Sequence, residues 1–368
     1  MMNLNKIKIL LEDDNEILGN GYGHPLYRQY LPSKRYIDIL NRYNIKGTFY
    51  IDIAHYIFLK KNELFQDFKF QAQTIEAVIK MLLENGMDVQ VHLHSQWVNA
   101  EIRSNDIYVT DKWNIGQLSE KEQIEVFNES YKLLSILLKK FNSVNVLNSY
   151  KAGSWGLQPF NNLYSLFKDK GIKLVMGPIK GLKVDGLNIN YQKLESDYYP
   201  FYTDKKDINK IGKEKEIVVL PMTPTFLNWI DFIRYMFENT IHKLFNKTND
   251  FDLGKIPNSV KKMKPLSGKD KLNFSLKPFK THLKINAQKF WYLKNTFDRS
   301  YKMIKNSEHD YKLLVIETHT KDFKNTFDDI DRFLDYVSSN YLDVEFVTAS
   351  DIVSDIEKNI LKPLKIDE

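Results

Sequence analysis

The chain of 368 residues contains no cysteine. Disulfides and thiolate metal sites are therefore excluded, and any bound metal must rest on His, Asp, Glu or neutral oxygen ligands. Long apolar runs are missing too. No stretch approaches the roughly 18 uninterrupted apolar residues of a membrane span. The opening residues, MMNLNKIKILLEDD, reach acidic side chains after a very short apolar run, without an h-region or a small-residue cleavage site, so a signal peptide is not expected. These absences fit a reducing compartment, and a cytoplasmic protein is the default expectation.

Apolar and aromatic residues are plentiful, at 43% and 13%, which makes a sizeable core feasible in one large domain or two small ones. The net charge of +6 is uneven: residues 255–310 hold 14 Lys/Arg against 4 Asp/Glu, which leaves the rest of the chain at −4. One segment therefore carries the basic character.

Short β-type runs recur, each followed by a helical pattern. IKILLE (7–12) precedes SKRYIDILNRYN (33–44), and GTFYID (47–52) precedes TIEAVIKMLLEN (74–85), where Gly86 suits a helix C-cap. MDVQVHLH (87–94) precedes the amphipathic stretch 119–141, and NSYKAG (148–153) precedes a helix near 161–170. KLVMGP (173–178), IVVLPM (217–222), YKLLVIETH (311–319) with its helix 326–340, and VEFVTA (344–349) complete the series. About seven to eight strands alternating with helices predict an α/β fold with a parallel sheet, open or closed into a barrel. Residues 226–310 break the rhythm with an aromatic amphipathic helix, FLNWIDFIRYMFENTIHKLF, and the basic stretch. The chain is read as one domain, 1–368, with that helical, basic insertion between late strands.

In a parallel sheet the working residues gather at the C-terminal ends of the strands. Those ends carry Asp13 and Asp14, then His92 and His94, then Lys151 followed by Gly153-Ser154-Trp155-Gly156, and finally His319. The V-H-L-H alternation puts both histidines on the face opposite Val91 and Leu93. Carboxylates and neutral imidazoles are the ligands a divalent cation takes, and such an ion acidifies bound water and polarises a carbonyl. Plainer readings exist for each residue. Asp-Asp-Asn is ordinary loop composition, Lys151 suits a surface charge, and Trp97 and Trp155 suit either the wall of a sugar pocket or core packing. His24 fits a structural loop residue, and His55, His242, His282 and His309 have no partners in the pattern.

Five segments in order carry a resemblance. LEDDN (11–15) resembles the T-F-D-D-G motif of the polysaccharide deacetylases, and GTFYID resembles their A-T-F-F strand. NGMDVQVHLHSQW resembles their G-H-E-I-G-x-H strand, YKAGSWGLQP their R-A-G-x-W-G segment, and LVIETHT their last L-x-H motif. The likeness spans about 1–225 and 311–350 and omits the insertion. It implies a distorted (β/α) barrel and metal-dependent removal of N-acetyl groups from an amino sugar in a polysaccharide or cell-envelope precursor. By position it makes Asp13 the general base, Asp14 and His92 metal ligands and His319 the general acid. Zinc is the first expected ion.

Three departures accompany it. The family's second histidine position is Gln96, so His94, two residues from His92 on the same face, is the expected third ligand, with Gln96 as substitute and substrate-site residue alongside Trp97 and Trp155. The arginine that pairs with the base is Lys151, which keeps the charge and loses the bidentate fork. Leu11, Glu12 and Asn15 replace the residues flanking the two aspartates. The competing readings are an inactive carbohydrate-binding or scaffold protein on the same barrel and another C–N hydrolase or glycosidase. The basic insertion suits an anionic partner, either a lipid surface or a lipid-linked glycan, placing the protein at the periphery of the inner membrane. No nucleic-acid module accompanies the charge.

Overall fold

In the computed structural model, residues 6–18, 21–103, 106–245, 279–286, 288–323 and 326–366 are described. Residues 246–278, which include the first part of the basic segment, lie outside them. Ten strands form one curled sheet: β1 (Ile7–Asn15), β2 (Thr48–Asp52), β3 (Asp88–Leu93), β4 (Ser149–Ala152), β5 (Leu174–Met176), β6 (Phe201–Tyr202), β7 (Val218–Leu220), β8 (Lys284–Ile285), β9 (Lys312–Thr318) and β10 (Val344–Val347). Their order is β6-β7-β5-β4-β3-β2-β1-β9-β8, with β10 also beside β1. Only β6 runs antiparallel to its neighbour. The arrangement is a half-barrel, in keeping with the expected distorted (β/α) barrel.

β1 is the central strand, and its length explains the site. One edge pairs with β9 from Ile7↔Lys312 to Asp13↔Thr318. The other edge is shared: Ile7–Leu10 face β10, and Glu12–Asn15 face β2. The Asp-Asp-Asn stretch is therefore paired strand and not a solvated turn. A strand covered by helices on both faces can be apolar at consecutive positions, and IKILL is buried at Ile7, Ile9, Leu10 and Leu11.

Helices return the chain between strands: α1 (Leu31–Arg42), α2 (Ile53–Lys61), α3 (Gln66–Glu84), α4 (Glu120–Lys140), α5 (Asn161–Asp169), α6 (Trp229–Phe245), α7 (Phe290–Lys305), α8 (Phe327–Asn340) and α9 (Ala349–Glu357). α4 begins where its chemistry dictates. Ser119 and Glu122 form a reciprocal capping box, with Ser119 N donating to Glu122 Oε2 at 2.8 Å. α2 is legible only in three dimensions. Ile53 to Leu59 are all buried, so the helix has no polar face and no 3.6-residue signature.

The excursion after β7 is tied into the fold. Pro224–Leu227 pairs antiparallel with Phe279–His282, α7 packs along this hairpin, and β8 then joins the sheet beside β9. Its return strand thus delivers His282 next to the C-terminal end of β9.

Candidate active site

Extended backbone sends alternate side chains to opposite faces. At the end of β1 this separates two sets. Glu12, Asp14 and Glu16 turn toward the strand-end histidines, all three buried. Asp13 and Asn15 turn the other way. Asp13 Oδ2 accepts from Thr318 Oγ1 and from Thr320 N, both at 2.8 Å, and its Oδ1 accepts from Thr320 Oγ1 at 3.1 Å. Burial outweighs these bonds and pushes the Asp13 carboxyl up to about 6.

β3 supplies His92 and His94, with ring centroids 4.8 Å apart. His92 Nδ1 lies 2.9 Å from the carbonyl oxygen of Lys151, so Nδ1 carries a proton and donates, and Nε2 is the nitrogen left to face the site. His94 Nδ1 donates in the same way to Gln96 Oε1 at 3.2 Å. Both Nε2 atoms face one carboxylate, Glu16. His92 Nε2 is 3.6 Å from Glu16 Oε2, has no hydrogen-bond partner among the described residues, and sits in a fully buried spot. His94 Nε2 is in direct contact with the same oxygen. Histidines whose Nδ1 donates to the protein and whose Nε2 atoms turn to a shared carboxylate are oriented as metal-ligating histidines are, with Nε2 free to bind once its proton is displaced. Burial opposes the charge of His92, but Asp14 and Glu16 outweigh it and push its pKa up to about 9.

β4 supplies Lys151, a lysine with no solvent exposure. Its Nζ lies 2.6 Å from Glu12 Oε1, 3.0 Å from Glu317 Oε1 and 3.2 Å from Asp14 Oδ1. Burial disfavours the ammonium, yet the three carboxylates hold its pKa above the ordinary lysine value. The carboxylates divide in turn. Burial drives Glu12 well above its usual range in spite of Lys151. Asp14 and Glu317 resist burial and stay below theirs, Asp14 through Lys151, His92 and His319, and Glu317 through Lys151 and His282. Three acids around one base therefore keep one carboxyl, Glu12, close to its proton.

The turn after β4 is tightly specified. A Cβ on Gly153 would stand 2.3 Å from the carbonyl oxygen of Leu93, so only glycine lets this turn pass so close to β3. Ser154 and Trp155 follow at φ +50° and +57°, a left-handed pair costing about 1–2 kcal/mol per residue. The result aims the Trp155 indole, whose Nε1 donates to Glu317 Oε1 at 2.9 Å. His282, from the excursion, pairs with the other oxygen, Glu317 Oε2. His319 closes the ring. Its Nε2 lies 3.4 Å from Asp14 Oδ2 and 4.0 Å from Glu16 Oε1. Burial lowers its pKa, and Asp14 and Glu317 more than restore it, leaving a net rise. Lys321 contacts Glu16.

Of the residues singled out from sequence, Asp14, His92, His94, Gln96, Lys151, Trp155 and His319 converge here. Asp13 does not, and neither does Trp97. The Trp97 ring stacks on His55 at 4.2 Å between centroids and packs against Phe58, as a core residue. Glu12, Glu16, Glu317 and His282 belong to the cluster and were missed. A period of two would have found three of them: Glu12 and Glu16 flank Asp14 at two residues, and Glu317 precedes His319 by two. His282 left no such trace.

Among the described residues, two sets of side chains could hold a cation, the first fully buried and the second with His319 only partly so. The donor atoms of Glu16, His92 and His94 lie within 4.8 Å of one another, as do those of Asp14, Glu317 and His319. Both are nitrogen–oxygen sets suited to zinc and similar ions. The orphaned His92 Nε2 favours the first set.

The fold has relatives among solved structures. A protein described as a polysaccharide deacetylase from Mycobacterium smegmatis superposes with a TM-score of 0.55 at 11% identity, over 100% of this chain and 96% of that one. An allantoinase, PuuE, gives 0.53 at 14% identity over 98% and 94%. A protein described as a polysaccharide deacetylase from Pseudomonas aeruginosa PAO1 gives 0.50 at 14% over 97% and 93%. No family model matches the sequence, and no curated protein matches it. The chain therefore has the fold of the polysaccharide deacetylase and allantoinase structures.

Proposed function

We propose that this protein is a metal-dependent hydrolase that removes N-acetyl groups from an amino sugar in a polysaccharide or glycan precursor. Glu16, His92 and His94 hold the ion, with zinc the first choice. The observation that carries the proposal is the pair of buried imidazoles whose Nδ1 protons are tied down and whose Nε2 atoms face one carboxylate. When bound, a divalent ion makes its water acidic and polarises the acetyl carbonyl.

The remaining steps belong to the side chains. Asp14, kept ionised by Lys151, takes the proton from the attacking water. His319, beside Asp14, gives a proton to the departing amine. Lys151 acts as a positioning residue through Glu12, Asp14 and Glu317. The family resemblance implies Asp13 as base and Asp14 as ligand. What supports moving each role two residues or one residue along is the pleat: Asp14 and Glu16 share the face of the histidines, and Asp13 is engaged by Thr318 and Thr320. Trp155, half-buried beside Glu317, is the side chain whose ring face would meet a sugar.

The test is acetate release from a panel of N-acetylated hexosamines, free, nucleotide-linked and oligomeric, with ring opening of a cyclic amide measured alongside because of the allantoinase fold. Release that needs a divalent ion and disappears in His319→Ala supports the proposal. A metal-loaded protein that releases no acetate from any member overturns it.

A further inference from the structure

The excursion carries an apolar surface that the site does not use. On α6, Trp229, Ile230, Ile233 and Phe237 are 50%, 78%, 63% and 66% exposed. At 3.6 residues per turn they fall within an arc of roughly 100°. Phe226, on the strand leading into the helix, adds to the same exposed set at 48%. The other side of α6 is committed to the protein. Asp231 is paired with Arg299, Tyr235 packs on Tyr292 with centroids 5.4 Å apart, and Glu238 accepts from Trp291 Nε1 at 2.9 Å. The orientation of the helix is thus fixed with its apolar face outward.

Charge identifies the occupant. Residues 224–245 and 279–305, the described part of the excursion, hold nine Lys/Arg against three Asp/Glu. Arg234, Lys294 and Arg299 pair with the three acids, and Lys289 and Lys305 pair with Asp329 and Asp343 of the barrel, so the excess positive charge rests on Lys243, Lys280, Lys284 and Lys302. Two copies meeting through this face would bring like charges together. A surface of anionic lipid attracts the same charges and accepts the apolar side chains. No helix among the described residues is long and apolar enough to cross a membrane, so the contact is one of lying on the surface.

We propose that the outward face of α6 seats the protein on an anionic lipid surface, with Ile233 and Phe237 entering the interface and the basic flanks holding the headgroups. This surface is independent of the hydrolytic reading. It lies on the excursion whose return strand provides His282, so a docked protein would hold its site close to the lipid.

The full chain is sedimented with vesicles of phosphatidylcholine alone and of phosphatidylcholine with phosphatidylglycerol, at low and high salt, and its size is measured by analytical ultracentrifugation. The expected result is pelleting with the anionic vesicles at low salt, weakened by salt, and lowered at least about tenfold in Ile233→Glu/Phe237→Glu. Both positions are exposed, and Ile230→Ser/Phe237→Ser is the milder variant should the first fail to fold. Failure of the wild type to bind anionic vesicles at low salt overturns the proposal, as does binding that neither variant weakens. A stable dimer that both variants dissociate, without vesicle binding, assigns the face to self-association and overturns it as well.

Discussion

Replacing Lys151 by methionine keeps most of the side-chain length and removes the ammonium. Three carboxyl groups, from Glu12, Asp14 and Glu317, then share a buried space with no lysine between them. Breaking a buried ion cluster by removing one partner costs about 3–5 kcal/mol. For a chain of 368 residues that loss corresponds to a fall of roughly 4–7 °C in melting temperature. The loss must also depend on pH, with a definite sign. In the wild type, Asp14 and Glu317 sit below their usual range and contribute stability above a pH of about 4. Without the ammonium, buried carboxyls shift the other way. A carboxyl whose folded pKa is raised costs stability progressively as pH climbs above its unfolded value of about 4. The gap between wild type and Lys151→Met therefore widens from about pH 5 to about pH 8. Thermal melts across that range test it. A gap below about 1 kcal/mol, the size of a surface pair, or a gap that does not change with pH, would refute the buried-cluster argument.

Three further predictions follow from the same geometry. Asp13→Asn gains stability relative to wild type as pH rises from about 4 to 7, because the wild-type carboxyl, at about 6 in the fold, is charged there at a cost; the ceiling is about 3 kcal/mol, read by denaturant titration at both pH values, and no gain with pH contradicts it. Loading zinc into the metal-free protein at neutral pH releases about one proton from His92, whose pKa lies near 9, so the calorimetric heat varies with the ionisation enthalpy of the buffer, and a heat that ignores the buffer counts against the ligand set. His282→Ala destabilises the protein by about 2–3 kcal/mol by leaving Glu317 Oε2 without its partner, measured by chemical denaturation; a neutral result would detach the excursion from the site.

The sheet was legible because its strands are short apolar runs separated by helix signals, and eight of the ten strands lie where those runs lie. β6 and β8, two residues each, are below what a pattern can register. The histidines were legible from V-H-L-H, since a period of two on a strand is unambiguous about faces. The same rule applied to LEDDNE would have paired Asp14 with Glu12 and Glu16. The adjacent aspartates of the family motif drew attention to Asp13 instead, and the pairing of β1 with β9 gives that residue to Thr318 and Thr320. Lys151 was legible as a strand-end residue beside the base, but not as a buried one. Its burial depends on carboxylates from β1 and β9, brought together by strand order. His282 depends on the path of an excursion, and no local pattern announces such a path. Trp97, three residues beyond His94, was placed near the site by proximity in sequence, and the turn after β3 sends it to the core against His55.

The most direct test of the account is the divalent metal content of the purified protein after loading and desalting, for the wild type and for Glu16→Gln, His94→Ala and Asp13→Asn. The account predicts about one equivalent of zinc or a similar ion in the wild type and in Asp13→Asn, and loss of that ion in Glu16→Gln and His94→Ala. A wild type that retains no divalent ion, or an ion kept by Glu16→Gln and lost by Asp13→Asn, would contradict it.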